Sequence, residues 1–220
     1  MTAAPDNATS WRPSTGWPAV REGFAFLATS PVLVLSFAID IAAMVLAMPR
    51  ALFPEVAQER FGAGSIGWLY AAIAIGSVVA GVTSGWIGRV HRQGLALVAA
   101  VAAWGLAIAA AGLARSLWLT VLLLAIAGAA DLISAVYRQT ILQTYAPDAI
   151  QGRLQGIFMA VVAGGPRLGD LRAGATAALF GPTVAWAGGG VAAAMVAIAL
   201  AVVFPSLLRY TSRTGPARVA

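Results

Sequence analysis

Six long apolar stretches, separated by short segments that hold most of the charge, fill this chain from about Pro31 to Pro205. A helix needs roughly 20 apolar residues to cross a ~30 Å hydrocarbon core, and in lipid its backbone must satisfy its own hydrogen bonds. Six such runs in succession predict an all-α membrane protein with six transmembrane helices. The spans read as about 31–53, 65–88, 94–113, 116–137, 152–180 and 182–205, together a bundle over 31–208. Breakers fall between them: Pro49 and Pro54, Gly62-Ala-Gly64, and Gly181-Pro182. Pro147-Asp148 opens the fifth span, with Asp148 as cap and Gln151 three residues on. Residues 1–18 read as a disordered cytoplasmic N-terminus and 209–220 as a cytoplasmic tail, while Met1–Arg21 lacks the apolar core of a signal peptide. Residues 19–30 read as an amphipathic interfacial segment, with Val20, Phe24 and Leu27 on one face.

Composition narrows the function classes. Only 10% of residues are charged, against about 25% in soluble domains. No cysteine is present, which removes disulfides, thiolate metal sites and cysteine nucleophiles. All fourteen basic residues are arginine, so no phosphate-binding loop with its lysine can form. A net charge of +6 does not point to nucleic acid here, because the arginines gather in alternate loops. With the N-terminus cytoplasmic, Arg12, Arg21, Arg89, Arg92, Arg138, Arg153, Arg209, Arg213 and Arg218 lie inside, and Arg50, Arg60 and Arg115 outside. Nine against three is a positive-inside bias, and it predicts that both termini are cytoplasmic. The lysine-free, alanine-rich composition suggests a GC-rich bacterial genome, and so a bacterial inner membrane.

The polar residues inside the spans carry the functional question. A charge near the bilayer centre costs about 2.5–3.5 kcal/mol on insertion scales, so it faces protein or water and commonly marks a pathway. Asp40, Asp131, Arg167, Asp170 and Arg172 are the candidates for proton coupling or substrate contact. Arg167 and Asp170, three apart, are expected to pair. Arg172 points elsewhere and needs a carboxylate from another helix, Asp40 or Asp131. Asp40 has no basic residue within a turn. Arg138 follows Asp131 by seven residues and is expected to lead into a cytoplasmic loop. Gly164-Gly-Pro166 predicts a kink or local unwinding beside these charges, as in the broken helices of secondary transporters. A purely structural charge network remains the competing reading. Gly81, Gly85 and Gly88, and the pairs Gly152–Gly156 and Gly165–Gly169, are expected to let helices approach closely. Ser77 and Ser134 have no histidine partner in the membrane and no metal-ligand cluster exists, so neither enzyme chemistry nor a cofactor is expected.

Two loops look familiar. Gly81-Val-Thr-Ser-Gly-Trp-Ile-Gly-Arg-Val-His-Arg92 resembles the cytoplasmic loop signature of the major facilitator superfamily, matching at Gly81, Gly88, Arg89 and Arg92, with Gly85 where the signature has aspartate. Arg138-Gln-Thr-Ile-Leu-Gln-Thr-Tyr-Ala-Pro-Asp-Ala-Ile-Gln-Gly-Arg153 is similar to the loop between spans ten and eleven of the enterobactin-exporter and macrolide-efflux branch. Its matching positions are Arg138, Gln143, Pro147, Asp148, Gly152 and Arg153. Ala19–Pro31 resembles that branch's central linker, so the likeness covers the chain from about residue 19 and corresponds to the C-terminal six of twelve spans. The resemblance implies one half of a secondary transporter that exports a small organic molecule, a siderophore or drug, by proton antiport, with the two loops serving the cytoplasmic gate. It also implies a missing N-terminal six-helix half. The chain is then part of a longer product, or pairs with a separate half, or forms a homodimer. A non-transporting membrane subunit or an inactive half-transporter fragment is the alternative.

Overall fold

The computed structural model describes residues 16–208 and 210–211. Helix α1 (Trp17–Thr29) turns at Ser30 into α2 (Pro31–Ala47), each opened by a proline in its first turn, where the missing N–H costs no hydrogen bond. A short irregular passage follows: a 3₁₀ turn at Arg50–Leu52, α3 (Phe53–Val56), a π turn at Ala57–Phe61 and a 3₁₀ turn at Ala63–Ser65. Then come α4 (Ile66–Val82), a 3₁₀ stretch at Ser84–Arg89, α5 (Gln93–Leu113), α6 (Leu117–Tyr145), α7 (Asp148–Phe180), α8 (Pro182–Val203) and the single turn α9 (Pro205–Leu208). There is no strand among the described residues.

Among the described residues, five stretches are long and apolar enough to cross a membrane: Pro31–Phe61, Ala63–Val82, Gln93–Leu113, Leu117–Tyr145 and Pro182–Val203. Helix α7, with 33 residues, is the longest of all. Its four charged residues from Arg153 to Arg172 keep it outside that set on hydropathy. The fold is therefore all-α with six long helices among the described residues, α2, α4, α5, α6, α7 and α8, and α7 is the most charged of them.

Packing follows residue size. Helix α5 packs along both α8 and α6, α4 packs along α6, and α2 contacts α5, α6, α7 and α8. The α4–α6 contact rests on two glycines. Gly76 meets the backbone of Ala125, and Gly128 that of Ile73, so closely that a Cβ at either would overlap a carbonyl oxygen. Large apolar residues such as Val78, Val82, Leu122, Leu171, Leu179 and Val202 face outward, as lipid requires, and Trp68 and Trp118 meet edge to face at 5.3 Å on that surface.

Several expected boundaries shift. Helix α6 runs through Tyr145, eight residues beyond the expected end at 137, and α7 starts at Asp148 rather than 152. Pro147 is the N-cap, and Asp148 is already helical. The expected unwinding at Gly164-Gly-Pro166 does not occur, and α7 is helical throughout. One missing N–H is tolerable where the helix is held on both sides, and here Gly165 and Gly169 press against Met44 and Met48 of the α2 end. Of the glycine pairs, Gly165–Gly169 makes its close approach, whereas Gly85, Gly88, Gly152 and Gly156 face open space. In α1, Leu27 is buried but Val20 and Phe24 are exposed.

Candidate functional site

The polar centre of the bundle is an ion pair between helices 98 residues apart in sequence. Asp40, the tenth residue of α2, lies about 14 Å along that helix at 1.5 Å per residue. Because α6 continues to Tyr145, Arg138 sits two turns inside its end, not in a loop. Its Nη1 donates to Asp40 Oδ1, and both side chains are only 2% exposed. A charge without a partner there would be far costlier than the pair. Phe158 of α7 lies against the guanidinium, its ring centre 5.7 Å from Cζ, and meets Phe37 of α2 edge to face at 6.2 Å. Beside them Gln139 Nε2 donates to Gln155 Oε1 at 2.8 Å. Asp40 Oδ2 and Arg138 Nε have no hydrogen-bond partner among the described residues.

Asp131 stands two turns from Arg138 on the same face of α6 and is half-buried. Ser134, between them on that face, is buried and donates to the Asp131 backbone carbonyl at 2.8 Å. Arg138 is bonded to Asp40, and Asp131 is a second carboxylate two turns along the same face, with no ion pair of its own to that guanidinium. With all three ionised the group carries one excess negative charge, which a single proton on either aspartate removes.

The charges of α7 do not behave as the sequence suggests. Arg167 and Asp170 make no ion pair: Arg167 donates to the Ala163 carbonyl one turn back, and Asp170 Oδ1 accepts the Ala51 N–H at 3.1 Å. Arg172 takes no carboxylate either; its Nη1 donates to the Ala185 carbonyl at 3.3 Å, beside Gly189. The structure thus gathers Asp40, Asp131 and Arg138, and leaves Arg167, Asp170 and Arg172 on separate backbone partners.

In the loop regions, Gly81 ends α4 against Leu132, and Gly88, Arg89 and Arg92 are exposed around the 3₁₀ stretch. Gln143 is exposed on the last turns of α6, Pro147 makes the corner, and Gly152 faces open space. Arg153 pairs with Glu22 of α1 at 2.6 Å, a contact between α1 and α7 that the sequence did not reveal. The side chain of Asp148 and residues Arg12, Arg209, Arg213 and Arg218 lie outside the described residues. A groove of about 840 Å³ runs between α1, α2 and α7, lined by apolar residues including Trp17, Phe24, Ile41 and Leu168. At the opposite end Arg60 donates to the Gly112 carbonyl at 2.9 Å and to Thr183 Oγ1. No group of three histidine, cysteine, aspartate or glutamate residues suited to a metal occurs among the described residues.

Residues 8–215 match the family described as transmembrane secretion effector, within the major facilitator superfamily. The chain is 31% identical over 193 residues to the enterobactin exporter EntS of Escherichia coli O81 (strain ED1a), which covers 86% of this chain and 45% of the exporter. The same identity and coverage hold for EntS of Escherichia coli O157:H7 and of Shigella boydii serotype 18. The chain thus spans about half the length of these curated relatives. No solved structure gives a significant match.

Proposed function

The chain belongs to the transmembrane secretion effector family of the major facilitator superfamily, and on that premise we propose that it forms one six-helix half of a secondary transporter exporting a small organic molecule, a siderophore or hydrophobic drug, by proton antiport. Its relatives' description as exporters supports the direction. The observation that carries the coupling is the buried Asp40–Arg138 pair with Asp131 on the same face of α6.

In this mechanism both termini are cytoplasmic and the bundle sits in a bacterial inner membrane. A proton arriving from outside settles on Asp40. Neutral Asp40 holds Arg138 less tightly than the carboxylate did, since charge-assisted hydrogen bonds are about twice as strong as neutral ones. The tie between α2 and α6 slackens, and Asp131 takes a larger share of the guanidinium charge. That exchange biases one access state over the other, which is all that coupling requires. Release of the proton to the cytoplasm restores the pair. Asp170 is the second candidate carrier, and Arg167 and Arg172 would meet an anionic substrate. Gly81, Gly88, Arg89 and Arg92 would serve one cytoplasmic gate loop, and Gln143, Pro147, Asp148, Gly152 and Arg153 the other. The partner is an N-terminal six-helix half, in the same or a separate chain, or a second copy.

Everted membrane vesicles test the coupling. Asp40→Asn should abolish proton-coupled efflux with expression intact, and Asp170→Asn reads the alternative carrier. Full activity in both variants removes the coupling role from these aspartates.

A further inference from the structure

The surroundings of the Asp40–Arg138 pair differ on its two sides. Along the face of α6 that carries Arg138, the residues toward α4 and the Arg60 end are Ser134 and then half-buried Asp131. Toward α1 the same face continues as Ile141 and Leu142, both fully enclosed. Leu33 of α2 and Leu154 of α7 are equally enclosed at that level. Between these residues and the ion pair lie the Phe37–Phe158 ring contact and the Gln139–Gln155 hydrogen bond. A water molecule needs two to four polar partners to be held inside a protein. Rings and leucines supply none, and the bonded glutamine pair leaves one buried oxygen without a partner among the described residues, Gln139 Oε1, fewer than a water requires.

We infer that Phe37, Phe158 and the Gln139–Gln155 pair form a proton-tight floor on the α1 side of Asp40–Arg138, so that Asp40 exchanges protons past Ser134 and Asp131 and reaches the other side only when Phe158 leaves Arg138. This rests on the reading of Asp40 as the proton carrier, and it places one barrier of the proton path inside a single half. Phe158 is a positioning residue: its ring lies against the Arg138 guanidinium and carries no group that takes the proton. The charged groups facing Asp40 are Arg138 and Asp131, both on α6. Helices α5 and α8 carry no charged residue along their length. On α7, Arg153 is turned to Glu22, Arg167 to Ala163, Asp170 to Ala51 and Arg172 to Ala185.

The test is a proton-leak assay on the full chain in proteoliposomes without substrate, with an imposed pH gradient followed by a trapped dye. Phe158→Ala should dissipate the gradient about tenfold faster than the parent protein, equivalent to a barrier lower by ~1.4 kcal/mol. Phe158→Leu, which refills the space with apolar bulk, should return the rate to the parent level. Phe158→Ala combined with Asp40→Asn should also be tight, because the leak runs through the carboxyl. Gln155→Ala opens the floor from its other half and should leak without disturbing the Phe158–Arg138 contact. The inference is overturned when neither Phe158→Ala nor Gln155→Ala leaks at equal protein content, when Phe158→Leu leaks as fast as alanine, or when the leak survives Asp40→Asn. Failure of the carrier reading is distinct: substrate-driven proton movement would then persist in Asp40→Asn, whatever the Phe158 variants do.

Discussion

Neutralising Asp40 strips a buried guanidinium of its bonded partner, and the cost can be worked from the geometry. Asp40→Asn changes almost no volume, so the loss is electrostatic. Breaking a buried pair from one side costs about 3–5 kcal/mol because the remaining charge stays enclosed. Asp131 on the same helix face absorbs part of that charge, which places Asp40→Asn near the lower bound, about 3 kcal/mol. Arg138→Leu should cost less, about 2 kcal/mol, because an isolated carboxyl escapes its penalty by taking a proton. The double variant leaves no charge at the pair but an unpaired buried asparagine amide, and should cost about 2 kcal/mol, within the ~1–3 kcal/mol of an unsatisfied buried polar group. The coupling, the double loss less the two single losses, is then about −3 kcal/mol. Titration with sodium dodecyl sulfate in mixed micelles, read by the fluorescence of buried Trp104 and Trp186, measures all three. Additivity of the single losses within ~0.5 kcal/mol would refute the pair as an energetic unit.

Gly128→Val should separate α4 from α6, because its side chain would overlap the Ile73 carbonyl and strain the 2.9 Å bond from Ser77 Oγ to the Gly128 carbonyl. The loss should reach or exceed the ~1–3 kcal/mol usual for overpacking, whereas Gly85→Ala, with open space around it, should stay within about 0.5 kcal/mol in the same titration. Arg60→Gln removes the guanidinium from the Gly112 carbonyl and from Thr183, and should cost about 1.5 kcal/mol, the lower bound for bonds to a charged group at a partly exposed site. Its signature would be faster proteolysis between Leu113 and Leu117, and an unchanged digestion pattern would argue against that role.

The all-α fold and its long apolar helices were readable from the sequence because lipid leaves one solution for an apolar run of that length, and five such stretches occur among the described residues. The partner of Asp40 was not. Hydropathy falls at Arg138-Gln-Thr, so the fourth apolar run ends there, yet the helix goes on for two turns with Thr140 and Thr144 hydroxyls bonded back to carbonyls one turn earlier. Arg138 thereby moved from an assumed loop to the protein centre, and the positive-inside count falls from nine to eight. The failure of Arg167–Asp170 has a similar cause. Spacing of three permits a pair on an isolated helix, but α7 faces backbone groups of its neighbours, and Ala51 offers its N–H to Asp170. Gly76 and Gly128 belonged to no expected motif; each became legible only with the other across the interface.

Helices α5 and α8 run antiparallel and are fastened at both extremities. At one, Gly94 N–H donates to the Tyr210 carbonyl, with Tyr210 buried against Tyr145. At the other, Arg60 bridges the Gly112 carbonyl and Thr183. A pair of rods tied at both ends resists sliding and splaying, so α5 and α8 form the stiff side of the bundle. On the proposed transport function, a change of access would then be taken up by α2, α4, α6 and α7, which the two ties leave unfastened.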